Sequence, residues 1–196
     1  MDVGHTATSP GADSARGVPE YEFNLKLADV IAQSLHEAGF DKTIRLVTSG
    51  SRLSSLFERA ASANNLHGDL FISIHHDSVP DNLKETWQYE GKKYSYSDRF
   101  SGYAIFVSHE NVDRDGSLAF GHSLGQELQK RGYRQEELAL ATPERRLLVA
   151  QAVTAAVEEF CTSRIQSVAG QPGEQSSQYC NHQARERHQA GVTLAS

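Results

Sequence analysis

The 196-residue sequence predicts an α/β fold, a single three-layer domain with a mostly parallel twisted sheet flanked by helices. Two observations carry this. Short apolar runs of strand length alternate with longer segments whose apolar residues recur every three to four positions, the order expected when each helix returns the chain to a sheet. One run, Asp69-Leu70-Phe71-Ile72-Ser73-Ile74, is almost continuously apolar, as a parallel strand covered on both faces requires. A hydrophobic content of 38% over this length is enough to build one core.

The elements follow in order. Met1 to Val3 reads as the end of a buried first strand, closed by a Gly4-His5 turn. Pro19-Glu20 opens a helix with Leu25, Ala28, Ile31, Ala32, Leu35 and Ala38 on one face, and Gly39 caps it. Lys42 to Val47 predicts a short strand leaving through Thr48-Ser49-Gly50, and a second helix runs from about Ser54 to about Leu66. The strand at Asp69 to Ile74 ends in His75-His76-Asp77, after which Val79 to Arg99 is polar and reads as an excursion over the surface. Gly102 to Ser108 is the next strand.

A helix from about Ser117 to Arg131 carries Leu118, Gly121, Leu124 and Leu128, and the last helix spans Pro143 to Phe160. Only a short stretch containing Leu138-Ala139-Leu140 separates them, so one strand is missing from the expected alternation. From 163 to 196 the composition turns to Gly, Gln, Ser, His and Arg, which predicts a disordered tail behind a domain covering 1–162.

Charge and composition exclude some classes. A formal charge of -6 without a Lys/Arg stripe argues against a nucleic-acid partner, whose phosphates call for clustered positive charge. No apolar run is long enough to span a membrane. No charged n-region followed by an apolar h-region occurs, so a secretory signal is expected to be absent or already removed. Cys161 and Cys180 match no metal spacing and are compatible with one disulfide or two thiols.

The candidate chemistry comes from topology. In a parallel α/β sheet the C-terminal ends of strands and the N-terminal ends of the following helices share one edge, where ligands bind. His5 follows the first strand, Glu20 opens the first helix and His75 ends the apolar strand, so all three fall on that edge. Two imidazoles and one carboxylate form a known catalytic zinc set, with the fourth position left for water. Each residue alone has an ordinary explanation, since Glu20 is favourable at any helix N-terminus. Their shared placement points to a metal site.

The segments DVGHTATSPGADSARG, EYEFNLKLADVIAQSLHEAGF, LSSLFERAASANNLHGDLFISIHHD and SGYAIFVS, in this order, resemble the zinc-dependent N-acetylmuramoyl-L-alanine amidases of the AmiC-like type. The resemblance covers roughly Met1 to Gly132. It implies that the histidine of the GH turn, the glutamate of ExxxNL and the histidine of SIH hold zinc, which are His5, Glu20 and His75 here. Glu22 is a rival ligand, but counting back four positions from Asn24 selects Glu20. His76 and Asp77 are candidates to orient a ligand or touch substrate, while Arg59 and Asn64 read as structural.

The resemblance also exposes a departure. The family carries a further strand ending in a VLxExGF-like segment whose glutamate acts as general base, and no such segment exists here. RGYRQ runs directly into EELALATPERR, as if a piece were removed near 135–136, which is the missing strand seen from the family's side. Glu136 or Glu137 are weak stand-ins, because a loop glutamate lacks rigid positioning. The implied activity is hydrolysis of the amide between N-acetylmuramic acid and L-alanine in peptidoglycan, by a monomer in the periplasm or outside the cell. The alternative is an impaired homologue that binds zinc and peptidoglycan without turning over.

Overall fold

The structure is a computed structural model that describes residues 1–76, 78–97, 102–133, 143–169 and 190–195, the last segment and 165–169 by their backbone. In chain order the elements are β1 (Asp2–Val3), α1 (Glu20–Glu37), α2 (Arg52–Asn65), β2 (Leu70–His75), β3 (Glu85–Tyr89), β4 (Lys92–Tyr96), β5 (Ala104–Val107), α3 (Arg114–Lys130), α4 (Pro143–Ala169) and β6 (Ala190–Ala195). The described strands form a sheet of order β1-β2-β6-β5 and a separate β3-β4 hairpin. β1, β2 and β6 run parallel, and β5 is antiparallel to β6.

Alternation along two strands sorts the layers. Val3, Ile72 and Ile74 point into a core with Leu27, Ile31, Phe120, Leu124 and Val153, where α1 and α3 both pack against α4. Asp2 and Ser73 point to the opposite face, where they bond to each other and Asp2 meets Arg59 of α2. The sheet is therefore sandwiched, as the α/β reading expects.

Local chemistry sets the helix ends. After α1, Gly39 adopts a φ of 92° and the Phe40 amide bonds the Leu35 carbonyl at 2.9 Å, closing the helix where a left-handed residue is needed. Ser51 caps α2 by accepting from the Ser54 amide at 3.3 Å, and Asp113 caps α3 through the Gly116 amide at 2.9 Å.

Two expectations are corrected and one, the surface excursion, gains detail. Lys42 to Val47 forms no strand; it contributes one parallel bridge, Asp2 to Leu46, because β1 is two residues long and offers nothing further to pair with. The polar excursion contains a hairpin, β3-β4, whose turn residues Glu90 and Gly91 take φ values of 49° and 77°, the left-handed pair that a tight hairpin turn requires. The disordered tail expected from 163 onward does not hold for the described part. α4 continues to Ala169, and Ala190–Ala195 inserts as β6 between β2 and β5. A six-residue strand of small and β-branched residues inside a Gly/Gln/Ser/Arg-rich segment is hidden by average composition, while two flanking strands with open hydrogen-bonding edges favour its pairing. The interval holding the short Leu-Ala-Leu run, the suspected junction, Glu136 and Glu137 lies outside the described residues, as do Asp77 and Cys180.

Thr193 pairs with Ser73 on one side and Phe106 on the other. Replacing it with proline removes an amide from a strand with two neighbours, at a cost of roughly 1 to 3 kcal/mol for each carbonyl left unpaired. Thr193→Pro is expected to lower the urea midpoint followed by circular dichroism, and Thr193→Val to leave it near the wild-type value; equal midpoints for all three proteins would show β6 outside the sheet.

Candidate metal centre

The site is assembled from three chain segments at one sheet edge. β1 ends at Val3, and Gly4 turns the chain so closely over β2 that a Cβ there would lie 2.4 Å from the Ile74 carbonyl and 2.6 Å from the His75 ring. Only glycine permits this approach. His5 follows with a φ of 68°, a left-handed conformation that costs a side-chain-bearing residue roughly 1 to 2 kcal/mol. Glu20 enters from the first turn of α1, and His75 from the last position of β2.

The structure brings together the three predicted ligands. His5 Nε2 lies 3.0 Å from Glu20 Oε2, and His75 Nδ1 lies 3.2 Å from Glu20 Oε1. One donor atom from each falls within 4.8 Å of the other two. Ligand bonds of about 2.0 to 2.2 Å in a tetrahedral shell place donors roughly 3.3 to 3.5 Å apart, so three donors within 4.8 Å of one another would have to draw together to share one small cation. Glu22 does not join the cluster, since it pairs with Lys26 at 3.8 Å on the exposed side of α1.

A buried carboxylate needs compensation. Glu20 accepts from the His76 amide at 2.9 Å and from the Ala12 amide at 3.3 Å, and Asn24 Nδ2 reaches Oε1 at 3.5 Å. Burial disfavours its charge, but the His75 ring, these two amides and nearby His5 outweigh burial and hold the carboxyl at about 2. Burial pushes His5 below its usual value against the pull of Glu20, and the electrostatic effects of nearby His75 and Arg59 lower it further. Near neutral pH, then, Glu20 is an anion and His5 a neutral imidazole, the protonation states a metal ligand needs.

The sequence offers His76 as a group that orients a ligand or touches substrate, and its backbone amide bonds Glu20. Its Nδ1 donates to Asn24 Oδ1 at 2.5 Å, its ring tilts against Phe23, and its Nε2 is buried without a hydrogen-bond partner among the described residues. Burial, partly opposed by Glu20 and assisted by His75 and Arg146, takes its pKa to about 4. Asn24 in turn donates to the Gly4 carbonyl at 3.0 Å, so it joins the first turn of the chain, Glu20 and His76 in one network. The sequence reading used Asn24 only to number the motif. Its position four residues after Glu20, on the same helix face, is the signal of a shared role.

A cleft of about 750 Å³ opens above the cluster, with Ser9 to Ala12 on one wall, Arg52, Ser55 and Leu56 of α2 on another, and Ser78 and Phe106 beyond. Gly11 forms its closest wall: a Cβ there would meet Glu20 Oε2 at 2.5 Å and His5 Cδ2 at 2.8 Å. The segment from 12 to 18 is clasped by the hairpin, through a 2.6 Å bond from Trp87 Nε1 to the Ala15 carbonyl and the Tyr94 ring against Gly17.

Fold and site together define an α/β protein with His5, Glu20 and His75 clustered at the strand edge, a group that could hold a metal ion. A family model described as N-acetylmuramoyl-L-alanine amidase matches residues 1–156, and the chain belongs to that family. It is 28% identical over 112 residues to a Buchnera aphidicola subsp. Baizongia pistaciae protein named provisionally as an N-acetylmuramoyl-L-alanine amidase, covering 57% of this chain and 44% of that one. It is 29% identical over 90 residues to the endolysin of Bacillus phage SPP1, 45% of this chain and 32% of the endolysin. The chain thus spans less than half the length of these curated relatives. Among solved structures, the N-acetylmuramoyl-L-alanine amidase of Clostridium difficile 630 superposes with a TM-score of 0.60 at 17% identity, over 83% of this chain and 95% of the other. The amidase Ami1 of Mycobacterium abscessus gives 0.58 at 19%, over 81% and 95%. These two likenesses show a shared fold.

Two outcomes are expected. Gly11→Ala adds a methyl group where Glu20 and His5 already stand, at a φ of 84°, and should weaken zinc uptake at least tenfold in a chelator-competition titration while circular dichroism stays unchanged. In chelator-treated protein, His76 and Glu20 both have folded pKa values below their ordinary 6.5 and 4.5, so the unfolded chain binds protons first. Stability should therefore fall as pH drops from about 6.5 to about 4, and again from about 4.5 to about 2; His76→Gln should shrink the upper decline only, read as urea midpoints across the pH series.

Proposed function

We propose that this chain is a zinc-dependent hydrolase domain that cleaves the amide between the lactyl group of N-acetylmuramic acid and L-alanine in peptidoglycan. The observation that supports this most directly is the convergence of His5, Glu20 and His75 at the floor of an open cleft, in a chain of the amidase family. His5, Glu20 and His75 would hold the zinc, which when bound polarises an amide carbonyl and lowers the pKa of water toward ~7.

The protein's own groups supply the rest. The His76 and Ala12 amides and Asn24 fix the Glu20 carboxylate, so that it presents a single orientation to its two imidazole neighbours. The left-handed turn at His5 and the close packing at Gly4 hold the two rings edge to face, with centroids 5.0 Å apart. The cleft is open on the side of Arg52, Leu56 and Phe106, which leaves room for a branched polymer to approach. A wall substrate places the protein in the periplasm or outside the cell. No helix among the described residues is long and apolar enough to cross a membrane.

One observation favours a second reading. Among the described cleft-lining residues Glu20 is the sole carboxylate, and it already belongs to the ligand set. General-base assistance typically contributes 10²- to 10⁴-fold, so a centre without it would bind the wall and turn over slowly.

The test is product analysis. Zinc-loaded protein incubated with purified peptidoglycan should release new L-alanine amino termini, abolished by chelator and by His5→Ala or His75→Ala. Cleavage of glycan bonds or peptide crosslinks would sink the assignment, and sedimentation with sacculi without any cleavage would select the second reading.

A further inference from the structure

Arg59 is a buried cation, 4% exposed, on a helix that otherwise contributes only Ser55 and Ala63 to the buried interior. Leu53, Leu56 and Phe57 of the same helix are exposed at 66%, 53% and 70%. α2 thus docks through a guanidinium while its large apolar side chains face outward. Burying a charge carries a desolvation penalty that an apolar residue of similar volume avoids, so docking alone does not account for arginine here.

The contacts of Arg59 converge on one ligand. Its Nη2 donates to the carbonyl oxygen of His5 in a short hydrogen bond. Its Nε donates to Thr48 Oγ1 at 2.9 Å and lies 3.3 Å from Asp2 Oδ1, an ion pair without a hydrogen bond to that oxygen. Asp2 Oδ2 accepts from Ser73 Oγ of β2 at 2.6 Å. A continuous path therefore runs from the middle of the sheet, through Asp2 and Arg59, to the peptide that carries His5. That peptide is the strained one: His5 has a φ of 68°, and such conformations persist only where surrounding contacts over-determine them. On its other flank Thr6 is tied by its hydroxyl to the Gly50 carbonyl at 3.0 Å, so the turn is held from both sides.

We propose that Arg59, oriented by Asp2, is a positioning residue that latches His5 in the left-handed conformation its imidazole needs to ligate metal. The inference rests on the reading that His5, Glu20 and His75 hold zinc. A lysine in its place keeps the charge but not the planar fork that reaches Thr48, Asp2 and the His5 carbonyl together.

The experiment separates positioning from stability. Zinc affinity by chelator competition, the visible spectrum of the cobalt-substituted protein and the urea midpoint are measured for wild type, Arg59→Lys and the double variant Asp2→Asn/Arg59→Met. The double variant removes both buried charges together, so neither is left buried without its counter-charge. Its urea midpoint should stay near wild type while zinc binds 10- to 100-fold more weakly and the cobalt bands shift, the size of effect seen when the outer partners of metal ligands are changed. Arg59→Lys should show the same loss and carries the test if the double variant does not fold. Wild-type affinity and wild-type cobalt bands in either folded variant would overturn the latch while leaving the metal reading intact. A wild-type protein that takes up no zinc would overturn the metal reading and the latch with it.

Discussion

The ionised carboxylate of Glu20, 5% exposed at the end of the sheet, is the constraint around which the local structure is arranged. An unpaired buried carboxylate would cost several kcal/mol, so the chain must deliver donors to it from every direction. It does so from three separate segments: His5 and the Ala12 amide from the first loop, Asn24 from one turn further along α1, and His75 with the His76 amide from the end of β2. Placing Glu20 in the first turn of α1 helps, since the helix N-terminus favours a negative charge. The same groups that stabilise the anion leave two imidazoles facing it.

Close approach is the second requirement, and it explains the glycines. Gly4 and Gly11 stand where any side chain would meet His75, His5 or Glu20 within 3 Å. The loop between them carries strain at His5 and is fastened at several points, by Arg59, by the Thr6 and Thr8 hydroxyls to Gly50 at 3.0 Å each, and further along by the aromatic hairpin. A rigid loop matters for the proposed metal site because a ligand that wanders by an ångström would lower both affinity and rate. The hairpin's contribution is indirect, through the segment that leads into Glu20.

The sheet shows how an open position is filled. β2 and β5 are not neighbours; between them lies β6, drawn from the far end of the chain, with Ala195 opposite both His75 and Ala104. Family resemblance leads one to expect a strand ending in a glutamate between α3 and α4, an interval that lies outside the described residues. β6 restores backbone pairing across the sheet but brings no glutamate, since its residues are Ala-Gly-Val-Thr-Leu-Ala.

By itself the sequence determined the helices, the apolar β2 and the meeting of His5, Glu20 and His75 at one edge. These follow from local periodicity and from where apolar runs stop, and a parallel sheet sends such endings to the same side. Only the tertiary structure decided that 42–47 makes a single bridge, that 190–195 pairs as β6, that the His76 ring turns inward to Asn24, and that Arg59 reaches the His5 carbonyl. The physical reason is common to all four. Backbone pairing and buried polar contacts between residues 50 or more positions apart, as for Arg59 and His5, are chosen by which donors and acceptors remain unsatisfied after the core has packed. The bond between His76 and Asn24, 52 positions apart, depends in the same way on which side of the sheet each group faces.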